Sequence, residues 1–503
     1  MLTLGCLLPR SDKEDTIYYN FLYLNTYLDQ RRKPKSIFTP LVDLFYNIVL
    51  VSFKESIMRF VVVGGDAAGM SAASRAKRKD PDIDITVLEQ SHDVSYSACG
   101  MPYNIADPER EIEDLVVRPA HVFQKKIGLD LRLGYRVERL DRNAQNVQGT
   151  TSQGESFSLD YEKLLFANGA SPVVPEISGI DAPGVKVLKS LGHGREIKEY
   201  LKTFKINKAV ILGMGYIALE MAEALRARDI EVQMIKPRQR FLPWLNEQLA
   251  SVVWQELLEK QVGLFPGHEV KAIEKSDSGY EILCKDNKFQ ADFVLVAVGV
   301  EPNSQIAAEA GLDLGPCRSI SVDKGMRTSD ADIFAAGDCA DAYHVVSGHK
   351  TWLPLALRAN RAGWAVADNV TGSEVLLPGI AGTAVFKVFE LEVAKTGLNM
   401  EEAAEVGFQP QSVVIESRSR AHAHPGSTSI QVHMIGDQKT GRLLGVQMVG
   451  REGVAHRINA PAVALHKQMT VEEFGQTDLA YAPPFSPVWD PLLTTANQLL
   501  KKL

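Results

Sequence analysis

The sequence predicts an α/β fold with two Rossmann-like nucleotide-binding domains followed by a C-terminal α+β region. Two observations carry the first part: a β-rich run, a glycine turn and an amphipathic helix succeed one another at 60–79 and again at 209–228. A third carries the rest. From about Val375 the pattern changes to alternating strands, such as Thr383–Phe389 and Ser429–Ile435, with helices expected at Glu452–Met469 and near the C-terminus.

The bulk numbers agree with several ordinary domains. A chain of 503 residues is too long for one core, and roughly three domains is the expectation. Apolar content of 45% and charged content of 23% describe an ordinary globular protein, and a net charge of −7 argues against a nucleic-acid footprint. Five cysteines (Cys6, Cys99, Cys284, Cys317, Cys339) are too few and scattered for a disulfide framework. No Cys-x-x-Cys pair suggests zinc, and a reducing cytoplasm fits. Residues 1–57 are unlike the rest. Leu41–Phe53 is apolar but short and interrupted by Asp43 and Asn47, so no stable membrane span is expected, and no secretory signal is recognisable. They read as an extension outside the fold, with a surface-lying amphipathic anchor as the alternative.

The first nucleotide unit opens with Phe60–Val63. Gly64, Gly65, Asp66, Ala67, Ala68 and Gly69 follow, then a helix whose N-terminus would meet a pyrophosphate. Ile83–Glu89 is the second strand, and the carboxylate of Glu89 is placed for ribose hydroxyls. One position departs from the fingerprint: Asp66 replaces its middle glycine, bringing a carboxylate that would repel a phosphate.

About thirty residues past that fingerprint stands Cys99, between small residues and followed by Gly100 and Pro102. Proline favours the first turn of a helix, so the thiol is expected at a helix N-terminus, where its pKa would be lowered. A buried, inert cysteine is the competing reading.

The second unit runs from Ala209–Leu212 into Gly213, Met214, Gly215, Tyr216, Ile217 and Ala218, and its helix carries Glu220. The next strand, Val232–Ile235, lacks the terminal carboxylate that would favour NADH. Instead Lys236, Arg238 and Arg240 follow, cations suited to a 2′-phosphate. The expected nucleotide is therefore NADPH, with NADH as the alternative if the loop is only a solvated basic turn.

Taken together, Ser95-x-x-x-Cys99-x-x-Pro102 and the two fingerprints resemble the single-cysteine branch of the pyridine nucleotide–disulfide oxidoreductases, from about Met58 to the end of the chain. That branch includes coenzyme A disulfide reductases, NADH oxidases and NADH peroxidases. The resemblance implies FAD at the first fingerprint and NAD(P)H at the second, with the second domain inserted in the first. Tyr161–Pro172, with Gly169, and Val294–Asn303, with Gly299, resemble the hinges of the insertion. Thr328–Asp338 resembles the second flavin motif, in which Gly337 approaches the phosphate and Asp338 the ribityl chain. Leu355 and Ala356 open a helix under the flavin ring.

The implied division is 58–170 and 299–374 for FAD, 171–298 for NAD(P)H and 375–503 for an interface domain joining a homodimer. There Tyr481 matches a tyrosine that approaches the partner's cysteine, and His424 stands where a second tyrosine is usual. The catalytic set so implied is Cys99, Ser95, Tyr481 and His424. The function it implies is reduction of coenzyme A disulfide or persulfide. The alternatives are an oxidase or peroxidase using a cysteine sulfenic acid, and a flavin-based redox sensor. The oxidase reading is weakened because Asp66-Ala67-Ala68 holds no histidine. No metal is expected: His422, His424 and His433 lack a carboxylate or thiol to complete a ligand set.

Overall fold

Strand β1 (Arg59–Val63) is buried from Phe60 onward, on both faces, as the centre of a parallel sheet requires. The computed structural model describes residues 58–277 and 279–503. The expectations for residues 1–57 lie outside the described residues. After β1 come helix α1 (Ala67–Lys79), β2 (Asp84–Glu89), the short helix α2 (Met101–Ala106), β3 (Asp130–Leu133) and β4 (Lys163–Phe166). The sheet is parallel in the order Ile333–Ala335, β4, β1, β2, β3. Its edge strand Ile333–Ala335 thus pairs with β4 across a long stretch of sequence. A second five-stranded parallel sheet is built between them.

The second sheet contains β5 (Val185–Val187), β6 (Lys208–Leu212), β7 (Glu231–Lys236), β8 (Val262–Pro266) and β9 (Phe293–Val296), in the order β8, β7, β6, β9, β5. Helix α3 (Leu191–Thr203) follows β5, α4 (Tyr216–Arg226) follows β6, and α5 (Glu247–Glu259) follows β7. The chain enters and leaves this unit through Ala170–Pro172 and Val300–Pro302, which pair antiparallel. Beside them Asn168 Nδ2 donates to the Asn303 carbonyl (2.9 Å) and Asn303 Nδ2 to that of Asn168 (2.7 Å). Two crossing strands and a reciprocal amide pair hold the junction.

Helix α6 (Ala356–Val370) packs against α1 across small residues, and Arg75 grips Asp368 with two bonds of 2.9 Å. The C-terminal region is a five-stranded antiparallel sheet in the order Ala384–Val388, Leu391–Gly397, Leu443–Gly450, Ser429–Asp437, Pro410–Arg418. Helix Pro491–Leu499 covers it with Leu492, Ala496 and Leu499. Within Glu452–Met469, where helices are expected, stand two, Val454–Arg457 and Asn459–His466. Pro461 lacks an N–H and suits only a first turn, so the helix restarts just before it.

The inserted unit is fastened to this sheet. Glu256 of α5 is 2% exposed and accepts from Arg451 Nη2 at 2.7 Å. The Gln447 side chain bonds the Trp244 carbonyl (2.7 Å) and the Asn246 amide (2.8 Å). Among the described residues no helix is long and apolar enough to cross a membrane.

Candidate active site

A cleft of about 1380 Å³ runs past the C-terminal ends of β1 and β2, larger than the roughly 300–1,000 Å³ usual for a drug-sized ligand. Gly64, Gly65, Asp66, Ala67 and Ala68 form one wall, with Glu89, Gly169, Gly337 and Asp338. Gly64 has φ +109°, and a Cβ there would collide with the Ala167 carbonyl, so glycine is required for the turn. The same device recurs in the inserted unit: Gly213 has φ +119° and abuts the Ala297 carbonyl.

The lining fits an extended dinucleotide. Glu89 is aimed by its own neighbours, Oε2 accepting from the Gly65 amide (2.7 Å) and Oε1 from Ser91 (2.8 Å). Both oxygens keep lone pairs for ribose hydroxyls. Asn168 Oδ1 is buried without a partner on the cleft wall, an acceptor suited to a donor group on a ligand. Asp338 accepts from Lys189 Nζ at 2.8 Å, and its carbonyl accepts from Trp352 Nε1 at 2.7 Å.

Beneath this loop Arg358, buried on α6, donates to the carbonyls of Gly337 (2.9 Å), Ala340 (3.0 Å) and Asp341. Each such bond to a charged donor is worth about 1.5–3 kcal/mol. Arg358→Met is therefore expected to lose roughly 3 kcal/mol or more of stability and to release the cleft's ligand more readily. Urea unfolding and the flavin-to-protein absorbance ratio measure the two effects; an unchanged pair would mean that Arg358 does not hold the loop.

Cys99 stands in the tight turn Ala98–Gly100, directly before α2, with Pro102 in that helix's first turn. Ala98 and Tyr96 line the cleft; Cys99, the next residue after Ala98, is exposed and is not itself among the lining residues. The expected lowering of its thiol pKa is corrected by the surroundings. Desolvation raises the pKa, the Glu220 carboxylate raises it further, and the Lys189 ammonium opposes them. A six-residue helix is too short to outweigh these.

Glu220, on α4, accepts from Tyr103 Oη at 2.8 Å, and burial raises its own pKa. Tyr103 lies on α2, so this bond ties the thiol's helix to the helix of the second nucleotide unit. Tyr103 was legible in principle, four residues past Cys99. Lys189 and Arg358 reach the site from distant segments and left no local signal.

Other expected residues are placed as follows. Ser95 has φ +50° and works through its backbone: its amide donates to the Gly65 carbonyl (3.2 Å) and its carbonyl accepts from Val117 (2.9 Å). Gly215 and Ile217 open α4 with Tyr216, but the Tyr216 ring packs on Phe386 (4.6 Å) and Trp244 (5.3 Å), leaving its backbone at the loop. Gly299 has φ +137° at the insertion's exit. Leu355 caps α6 and Ala356 begins it, while Ala359, one turn on, lines the cleft.

Lys236 Nζ is engaged by the Arg240 carbonyl (2.9 Å), and Arg240 pairs with Glu401 (2.6 Å). Arg238 is exposed and makes no hydrogen bond or ion pair among the described residues. His424 and Tyr481 lie on adjoining segments, joined by the Ala421 amide and the Pro483 carbonyl (3.1 Å), and neither lines this cleft. Cys339 is buried against the Phe166 and Ala336 carbonyls, whereas Cys317 is exposed on the cleft wall.

The family model for pyridine nucleotide-disulphide oxidoreductases matches residues 58–363, and that for their dimerisation domain matches 383–491. The chain belongs to this family. Among family members, the NAD(P)H sulfur oxidoreductase (CoA-dependent) of Pyrococcus furiosus is 37% identical over 88% of this chain and 99% of its own. The NAD(P)H coenzyme A polysulfide/persulfide reductase of Pyrococcus horikoshii is 37% identical over 88% of this chain and 98% of its own. The solved NAD-dependent persulfide reductase from A. fulgidus superposes with a TM-score of 0.85 at 38% identity, covering 88% of this chain and 83% of that one. The family's architecture is that described above, two Rossmann-type domains and a dimerisation domain. Its cofactors are FAD and NAD(P)H, and the cleft's glycine turn, Glu89 and Asn168 fit the first of them.

Proposed function

We propose that this chain is an NADPH-dependent disulfide reductase that uses FAD and one redox-active cysteine, Cys99, to reduce coenzyme A disulfide or coenzyme A persulfide. The observation that carries the reading is an exposed Cys99 directly after Ala98 of the cleft lining, on the turn before α2, where Tyr103 bonds Glu220 of α4. The names of the Pyrococcus relatives support the coenzyme A-linked substrate.

Chemically, the Cys99 thiolate attacks one sulfur of the substrate, forming a Cys99–substrate disulfide and releasing a thiolate, or hydrosulfide from a persulfide. FAD bound in the cleft would supply the two electrons, drawn from NADPH, for cleaving this mixed disulfide into the Cys99 thiolate and the substrate's remaining thiolate. Each released thiolate takes a proton. In the homodimer reading, Tyr481 of the interface domain protonates or steadies the leaving thiolate across the subunit interface, and His424 takes the place of the family's second tyrosine. Phe485, Val488 and Trp489, 76%, 66% and 61% exposed beside Tyr481, support this segment as the face that meets a second copy. Arg238 supports NADPH over NADH.

An anaerobic NADPH titration of the holoenzyme, followed by separate additions of coenzyme A disulfide, coenzyme A persulfide and peroxide, tests the reading. The flavin is expected to bleach stoichiometrically and to recover its colour fastest with a coenzyme A substrate. Fastest recovery with peroxide would make it a peroxidase. A flavin that stays bleached with every acceptor would make it a redox sensor.

A further inference from the structure

Asp66 is the residue the fingerprint does not explain. It occupies the position just before α1, lines the cleft, and makes no side-chain bond to cap the helix. The groups that face it come from four segments: Glu89 at the end of β2, Tyr96 before Cys99, Lys189 before α3, and Asp338 after the edge strand Ile333–Ala335. Three carboxylates therefore share this end of the cleft with one ammonium. That ammonium is already spent on Asp338 at 2.8 Å, while Glu89 is held by the amides of Gly65 and Ser91. Asp66 is in no ion pair among the described residues; only the Tyr96 amide and Lys189, already paired with Asp338, oppose the cost of burying its charge.

Into this space the FAD reading brings a pyrophosphate with two further negative charges, at the same helix N-terminus. It also fills the cleft and removes the remaining water. Both changes disfavour an ionised Asp66, and a protonated one exchanges repulsion for an O–H donor. We propose that Asp66 binds FAD as the neutral carboxylic acid, so that the cofactor and one proton are taken up together. Burial already pushes the Asp66 pKa up to about 6, against the opposing pull of the Tyr96 amide and Lys189. Near neutral pH the cofactor-free protein thus holds Asp66 mostly ionised and must gain a proton to bind.

The sign follows from linkage. A group whose pKa is higher in the bound state contributes fully to affinity below the free-state pKa, and the contribution is lost as pH rises towards the bound-state pKa. FAD affinity should therefore be level below about pH 6 and weaken about tenfold per pH unit above it.

The inference rests on FAD occupying this cleft, and the test separates the two. The full chain as purified with FAD is compared with Asp66→Asn, which keeps size and polarity but cannot titrate, and with Asp66→Gly, which restores the fingerprint glycine and serves if the Asn variant folds poorly. Infrared difference spectra of the holoenzyme at about pH 7.5 should show a carboxylic-acid C=O stretch that both variants lack. FAD dissociation constants, from the fluorescence of released cofactor, should show the pH slope in the parent and a flat profile in the variants. The absence of that C=O band, or parallel profiles in parent and variants, would overturn the inference while leaving FAD binding intact. Failure of the parent to hold FAD at any pH would overturn both.

Discussion

Cys99→Ser is expected to lower disulfide and persulfide reduction at least roughly a thousandfold while NADPH still bleaches the flavin at the parent rate. Serine is close to cysteine in size, and position 99 is exposed, so neither the turn Ala98–Gly100 nor the cleft should change. What is lost is the chemistry: a hydroxyl forms no disulfide and is scarcely ionised. On the proposed reading, hydride transfer from NADPH uses the second nucleotide unit and should survive. The thiol's surroundings add a pH dependence. Desolvation and the Glu220 carboxylate hold its pKa above the ordinary value, so alkylation of Cys99 in the holoenzyme should accelerate as pH rises through that pKa. Glu220→Gln removes one raising charge and should shift the alkylation profile to lower pH. Near-parent reduction of coenzyme A disulfide by the Ser variant would show that Cys99 is not the redox centre.

The parts of this site that the sequence disclosed are those written in local pattern. A glycine at 64 followed by small residues and a helix admits one geometry, because the turn needs φ +109° and leaves no room for a Cβ. Glu89 was legible for the same reason, since the end of β2 must lie beside the turn that β1 feeds. What was not legible depends on segments distant in the chain. Arg358 holds the Asp338 loop from a helix beyond the insertion, and Lys189 reaches Asp338 from its near side. Tyr216 reads as a nucleotide contact in the fingerprint, yet its ring joins Phe386 and Trp244 because the interface sheet docks there. The Cys99 thiol shows the limit most directly. Helix position alone argued for a lowered pKa, and only the fold brings Glu220 and the desolvating walls that reverse the sign.

The nucleotide preference yields the other large effect, and the structure sharpens which residue to change. Three cations stand at and just after the end of β7, but two are occupied: Lys236, its last residue, braces the loop through the Arg240 carbonyl, and Arg240 ties it to Glu401 of the interface domain. Arg238 remains, exposed at the tip between them. A guanidinium there can meet a 2′-phosphate with charge-assisted bonds worth about 1.5–3 kcal/mol, the lower end applying at an exposed site. Arg238→Glu replaces attraction by repulsion, so kcat/KM for NADPH should fall about tenfold or more relative to that for NADH. Lys236→Glu should behave differently. It breaks the brace as well as the charge, and both nucleotides should suffer as the loop loosens. The ratio of the two kcat/KM values separates these outcomes, because loosening leaves it nearly unchanged whereas loss of a phosphate contact moves it. If Arg238→Glu leaves the ratio at the parent value, the loop is only a solvated basic turn and the preference for NADPH is wrong.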